Sequence, residues 1–443
     1  MNPLSLSVVG HTNTGKTSLM RTILRDGGFG EVANAAATTR HVEEAAVTDG
    51  ADILVRLYDT PGLEDAGGVL DWLEEHTDHR QDGIERIGAF LDSEAARSSF
   101  SQEAKVLRQM LAGDTALYVI DAREPVLAKY KDELSVLSWC ARPIMPVFNF
   151  TAGQDTSEWQ AVLARRGLHI FSRFDTVAFD FESEMQLWLN LAAMLPERAV
   201  IERLTAVRRR ERERLDEDAR RRIAGFLLDA AAYRQTADGG TPEALRHAVQ
   251  SAVRSAERQM QQDVLHLYRF YRNSLDTRDW ELQAFARDPF DSELLKDYGI
   301  RTTTGAAAGA LIGLGVDSLT LGTSLGLASA VGGLIGSLVP NWQTISDKLS
   351  GVETLYLDAP ALTVLAARAL GLLHTLQHSG HAAEHALAVS PAAVPWQPEK
   401  LPAQLRLARA RPQWSALNGS TADSPSRREA VAGLAAALAC KAA

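Results

Sequence analysis

The chain has 443 residues, 46% of them hydrophobic and 23% charged, with a formal net charge of −10. That length suggests two or three domains with real cores, and the composition excludes a disordered chain. The acidic balance argues against generic attraction to nucleic acid or anionic lipid, and two cysteines, Cys140 and Cys440, are too few for a disulfide framework.

The N-terminus enters a strand pattern at once, without the basic, apolar and small-residue order of a signal peptide, so a cytoplasmic location is expected. Residues 3–9 alternate Leu4, Leu6 and Val8 with Ser5 and Ser7, which predicts a strand. It runs into GHTNTGKT, residues 10–17, where Gly10 is followed after four residues by Gly15, Lys16 and Thr17. Backbone N–H groups of such a loop cradle phosphates, and the lysine reaches the terminal ones. SLMRTILRD, beginning at Ser18, has helical spacing, so bound phosphates would meet a helix N-terminus.

Downstream, ATTRHVEE carries Thr38 and Thr39 where a mobile loop can close on magnesium. A strand predicted over 52–58 ends in Asp59-Thr60-Pro61-Gly62. The aspartate can hold magnesium through water, and the glycine N–H can sense a terminal phosphate. Further strands are expected at 115–120, 143–149 and 174–179, with helical patterns between several of them. The fold class is therefore α/β, a doubly wound, mostly parallel sheet with its motifs at the carboxyl ends of the strands.

These motifs resemble those of the translation-factor-related GTPases, especially the group containing Era, the tRNA-modification GTPase and the double-domain ribosome-assembly GTPase. The residues that carry the resemblance are Asn13 in the phosphate loop, Thr39-Arg40 in the first switch and Asp59-Thr60-Pro61-Gly62 in the second. It implies GTP as substrate, bound by Gly10, Asn13, Thr14, Gly15, Lys16, Thr17 and Ser18. Lys16 would meet the β/γ-phosphates, Thr17 and Thr39 would coordinate magnesium, and Asp59 would support the ion. Gly62 would sense the γ-phosphate, and Thr38 is the fallback for Thr39. In several relatives the matching asparagine helps hold a potassium ion, where a neutral amide oxygen suits a weakly hydrated cation. The alternative is that Asn13 simply fixes the loop through its own hydrogen bonds.

Leu63 stands where many switch proteins carry the glutamine that orients attacking water, so intrinsic hydrolysis is expected to be slow. Glu64 and Asp65 are nearby acids, each readable as a substitute or as a surface charge. Residues 66–114 hold two helical stretches, VLDWLEEH and EAKVLRQML, read as cover for the sheet before a partner site. In base recognition the chain departs from the family pattern Asn-Lys-x-Asp: it reads Asn149-Phe150-Thr151-Ala152. Phe150 could cover the base, Ala178 matches a base-contacting position, and Asp155 lies three positions late. Discrimination between GTP and ATP is expected to suffer.

From about Glu197 the pattern is helical. AVRRRERERLDEDARRR, 206–222, mixes eight arginines with five acids and reads as a solvated, ion-paired helix, so RNA is a disfavoured partner. Pro242 opens another helix, with Leu245, Val249, Val253, Met260, Val264, Leu267 and Tyr271 near one face. Residues 302–340 have a single charge, Asp317, and glycines at four-residue spacing. They read as an apolar helical hairpin turning near Asp317-Ser318, suited to conditional entry at the inner membrane or to burial in the fold. His374, His378, His381 and His385 would share one helix face, although Gly380 interrupts it.

The expected division is a GTPase domain at 1–198, a helical domain at 199–300, the glycine-rich hairpin at 301–340, and a helical region with a flexible C-terminal arm at 341–443. The whole arrangement, together with YVIDAREPVLAKYKDEL and PVFNFTAG, resembles the bacterial GTPases with a C-terminal domain of unknown function, DUF3482. The expectation is a GTP/GDP switch coupled to a membrane-associated helical domain, with an unidentified protein partner or self-association. The alternatives are an Era-like RNA or ribosome-assembly GTPase and a non-hydrolysing membrane scaffold.

Overall fold

The computed structural model describes residues 2–26, 29, 42–236, 242–268, 290, 314–318, 352–378, 394–419 and 423–439. They divide into two compact units, the first drawn from residues up to 212 and the second mainly from 213–268, 352–376 and 394–439.

In the first unit β1 (Leu4–Val9), β2 (Glu43–Asp49), β3 (Asp52–Asp59), β4 (Thr115–Asp121), β5 (Ile144–Asn149) and β6 (Ser172–Arg173) form one sheet in the order β2-β3-β1-β4-β5-β6. Every neighbouring pair is parallel except the β2–β3 hairpin at one edge. The central strands are buried on both faces, and alternate residues serve different cores, as the two-residue period of a strand requires. On β4, Leu117 and Val119 join the core beneath α1 (Lys16–Leu24), α7 (Phe181–Met194) and the start of α8 (Arg198–Ala232). Ala116, Tyr118 and Ile120 face the other side. There they meet α2 (Ala66–His76), α3 (Gly83–Asp92), α4 (Ser101–Ala112), α5 (Ala128–Ser138) and α6 (Ser157–Ala164), through Leu73, Phe90, Leu107, Leu134 and Trp159 among others. The long segment 66–114 thus covers the sheet.

Two elements differ from expectation. β2 escaped the sequence pattern because Val47 is its only fully buried residue, as suits an edge strand. The strand expected at 174–179 is instead a loop, because side chains consume its backbone donors: Thr176 N donates to Asn149 Oδ1, and Val177 N and Ala178 N to Asp175 Oδ1.

The first turns of α8 are stapled onto this unit. Val200, Ile201, Leu204 and Val207 enter the core, Arg203 donates to Asp49 and Asp52 at 2.8 Å, and Arg208 Nη2 donates to Ile23 O at 2.7 Å. The solvated reading of 206–222 holds for Arg221, paired with Glu217 one turn earlier, and fails for Arg208, which is buried against Glu184.

The second unit is helical: the remainder of α8, α9 (Pro242–Leu267), α10 (Ala359–Gln377), α11 (Ala403–Arg409) and α12 (Pro425–Ala439). Val249, Val253, Met260 and Val264 of α9 are buried, as their spacing predicts. The unit also carries an antiparallel sheet, absent from the expected all-α region, in which β9 (Val352–Leu357) lies between β7 (Gln235–Thr236) and β8 (Leu314–Ser318). Asp317 and Ser318 therefore sit in a strand and not at the turn of a helical hairpin. The rest of 302–340 lies outside the described residues.

Among the described residues α10 is the one helix long and apolar enough to cross a membrane, and 78% of its most apolar window is buried inside the protein. Arg368 on it donates to Glu257 of α9 at 2.7 Å, both buried. His374 and His378 lie at its C-terminal end, whereas His381 and His385 fall outside the described residues. α12 is docked: Leu434 and Leu438 are buried, and Arg427 donates to Asp229 at 2.7 Å.

Candidate functional site

The loop 10–15 joins β1 to α1. Its glycines are required: Gly10 has φ +141° and a Cβ there would lie 2.6 Å from Val119 O, while Gly15 has φ +90° and a Cβ would meet Asn149 Nδ2 at 2.2 Å. Gly15 caps α1 with no side-chain hydrogen bond, which leaves the helix N-terminus open to an anion. Lys16 is buried and folds back over the loop, donating to Gly10 O at 3.1 Å and His11 O at 2.7 Å. Burial lowers its pKa, against the raising influence of Asp59, Glu133 and Glu64. Thr14 donates to His11 O, and Ser18 O accepts from Thr22 in the first turns of α1.

Directly beneath, Thr17 Oγ1 donates to Asp59 Oδ2 at 2.6 Å. Asp59 is fully buried at the end of β3, its Oδ1 has no hydrogen-bond partner among the described residues, and burial pushes its pKa up to about 6. A buried carboxylate oxygen without a donor beside a threonine hydroxyl is a hard oxygen donor set, and it fits magnesium. Thr38, Thr39 and Arg40 lie outside the described residues.

Asn13 is exposed at the apex of the loop with φ +65°, and no side-chain hydrogen bond fixes it among the described residues. Gly62 packs on the loop so closely that a Cβ would lie 2.2 Å from Thr12 Oγ1. Leu63 is fully buried and its N–H donates to Gly10 O at 3.3 Å. The two acids that follow separate in role: Glu64 accepts from Thr12 Oγ1 at 2.8 Å, whereas Asp65 caps α2 by accepting from Gly68 N.

Sequence reasoning missed a polar chain behind the loop that runs from half-buried His11 and Lys129 to buried Glu133 and Tyr118. His11 Nδ1 lies 2.7 Å from Glu133 Oε1 and 3.1 Å from Leu63 O, Lys129 Nζ lies 2.9 Å from His11 Nε2, and Tyr118 OH donates to Glu133 Oε2 at 2.8 Å. Lys129 donating to Nε2 puts the imidazole proton on Nδ1, facing Glu133. The available signal was an acid in register with Tyr130, Leu134 and Leu137, the apolar face of α5.

At the base end, Asn149 is fully buried. It donates to Thr14 O at 3.1 Å and accepts from Phe150 N, Thr176 N and Thr176 Oγ1. It therefore ties the phosphate loop to both base-side loops. Phe150 has φ +54° and lies under Arg123, whose Cζ is 4.0 Å from the ring centroid. Ala178 is exposed on the facing loop. Asp155 is committed elsewhere, accepting from Ser157 N and Oγ at the start of α6.

Residues 5–150 match the family model described as 50S ribosome-binding GTPase, and residues 160–436 match the domain of unknown function DUF3482. No curated protein matches the chain. Among solved structures, an Era variant of Aquifex aeolicus bound to GDP and aluminium fluoride is similar at 15% identity and TM-score 0.31, over 44% of this chain and 58% of that one. An S. thermophilus NFeoB mutant bound to GMPPNP is similar at 18% and 0.26, over 39% and 55%. The G domain of the T. maritima FeoB iron transporter is similar at 16% and 0.26, over 42% and 96%. The chain thus spans just over half the length of the Era and S. thermophilus structures. With its phosphate loop, doubly wound sheet and helical C-terminal region, the chain belongs to the DUF3482 family and carries a P-loop GTPase domain at its N-terminus.

Proposed function

We propose that the protein binds GTP with magnesium and hydrolyses it slowly to GDP and phosphate, as a switch. The observation that carries this reading is the Thr17–Asp59 pair, with a buried carboxylate oxygen that has no partner among the described residues, at the foot of a glycine loop that holds Lys16. Lys16 would exchange its two loop carbonyls for phosphate oxygens, and the uncapped N-terminus of α1 would take further charge. Thr17 and Asp59, with Thr39 as the expected third group, would hold magnesium, which would neutralise phosphate charge when bound. Gly62, packed on Thr12, is positioned to follow whatever sits in the loop.

Slow turnover is supported by Leu63, which the fold uses as core and which offers nothing to a water. Glu64, beside Thr12, is the acid we assign to water orientation. Asn13, exposed and without a side-chain partner among the described residues, is the residue we assign to potassium. Membrane coupling rests on the composition of 302–340 alone.

The test is nucleotide binding and turnover by the purified protein with GTP and ATP, in matched potassium and sodium buffers, with Lys16→Ala and Asn13→Ala. GTP turnover abolished by Lys16→Ala, with potassium stimulation lost in Asn13→Ala, is the expected result. No binding of either nucleotide would overturn the reading, and equal rates in the two salts would overturn the potassium assignment.

A further inference from the structure

We propose that Asp175 supplies the carboxylate that reads guanine, from the loop facing the one where that acid is absent; this rests on the GTP reading above. Guanine presents two adjacent donors, N1–H and the 2-amino group, and a fixed carboxylate facing them rejects adenine, which cannot match that pair. Position 152, where such an acid is sought, is alanine. Asp175 Oδ2 lies 3.3 Å from the N–H of that same Ala152. The carboxylate therefore stands at the backbone of the position that lacks one.

The surrounding bonds make this placement firm. Asn149 holds Thr176 through two bonds of 3.0 Å, which fixes residue 175 beside the 149–152 loop. Val177 N and Ala178 N donate to Asp175 Oδ1 at 2.9 and 3.0 Å. Among the described residues only the 3.3 Å bond reaches Oδ2, so that oxygen keeps lone-pair capacity for a ligand. Of the other nearby acids, Asp121 is clasped by Arg123 through two bonds of 2.9 and 2.7 Å, and Asp155 is turned onto Ser157 at the start of α6, with no bond to the 149–152 loop among the described residues. Asp175 is held by backbone N–H groups, which orient its carboxylate without neutralising it. Val177 and Ala178 are exposed, so the rim is open to a planar base, and Gly15 brings the phosphate loop against Phe150 at the other end.

The experiment measures binding of GDP, inosine diphosphate, xanthosine diphosphate and ADP to the full chain with magnesium, by calorimetry, for wild type, Asp175→Asn and Lys16→Ala. Asparagine keeps Oδ1 for Val177 and Ala178 and places a donor at Oδ2, which suits the 2-carbonyl of xanthine. In Asp175→Asn the GDP affinity is expected to fall about ten- to a hundredfold, and the preference to turn toward xanthosine diphosphate. A GDP to xanthosine diphosphate ratio unchanged from wild type would overturn the proposal.

Should Asp175→Asn fail to fold, the wild type alone decides. A carboxylate reader binds inosine diphosphate, which lacks the 2-amino group, about tenfold more weakly than GDP, and equal affinities overturn it. Binding that is lost in Lys16→Ala while the ratio stays fixed in Asp175→Asn defeats this proposal and spares the GTP reading. No nucleotide binding by the wild type defeats both.

Discussion

His11, the residue after the first loop glycine, stands 2.7 Å from the buried carboxylate of Glu133 on α5. The phosphate loop is therefore fastened from behind by a group on a helix more than a hundred residues away. Glu133 also accepts from Tyr118 on the central strand, and burial beside that carboxylate raises the tyrosine pKa. Glu133→Ala is expected to leave the buried Tyr118 hydroxyl without its acceptor and His11 Nδ1 with Leu63 O alone, and to cost about 1–3 kcal/mol by chemical denaturation. Glu133→Gln, which keeps an acceptor, is expected to cost less than half of that. Equal stability of wild type and Glu133→Ala would show that the chain of bonds is not structural.

Asp59 predicts a pH dependence whose sign is opposite to that of a salt-bridged acid. Its pKa is about 6 in the folded state against 3.8 as the reference, so the folded protein without magnesium binds the proton more readily than the unfolded chain. Stability from this group is present below the unfolded value and is lost as pH rises through the folded value, between about pH 4 and 6. Asp59→Asn should therefore be more stable than wild type above pH 6 without magnesium, by about 2–3 kcal/mol. Magnesium must displace that proton, so the thermal shift produced by magnesium with GDP should shrink as pH falls below about 6 in wild type.

Leu63 and Glu64 give a paired test of water orientation. Restoring a glutamine by Leu63→Gln places an amide in an apolar core, so turnover should not rise and stability should fall by about 1–3 kcal/mol. Glu64→Ala is exposed and leaves the fold intact, and it should lower kcat at least tenfold with little change in GTP affinity. A faster Leu63→Gln enzyme would mean that this segment leaves the core during turnover.

Asn149 joins three loops through one buried amide. Asn149→Ala removes its bond to Thr14 O and the three that it accepts, and should destabilise the protein by about 2–3 kcal/mol while weakening GDP and GTP alike. A loss confined to the triphosphate would point to a role in the switch instead.

The phosphate loop and Asp59-Thr60-Pro61-Gly62 were legible in the sequence because glycine, lysine and acid at fixed spacing are backbone-level requirements, local in the chain. The doubly wound sheet was legible for the same kind of reason, since β1, β3, β4 and β5 carry runs of apolar residues. What escaped depends on pairings between distant residues. Nothing local marks Glu133 as the partner of His11, or Asp175 as a neighbour of Ala152. The loop at 174–179 passed for a strand because Phe174, Thr176, Val177 and Phe179 are residue types that strands favour, while the N–H groups of 176–178 answer to Asn149 and Asp175. The edge strand β2 was missed because an exposed edge needs few apolar residues.

The sheet order carries a consequence for synthesis. β1 is made before both of its neighbours, yet it is central: Leu4 pairs across from Val55, and Leu6 from Thr115. A ribosome must therefore release more than a hundred residues before LSLSVV has both neighbours: both edges of this apolar strand are open until β3 emerges, and one stays exposed to other chains until β4 does. The nascent protein should engage holding chaperones until β4 emerges, and chains truncated between β3 and β4 should aggregate where those ending after β5 do not.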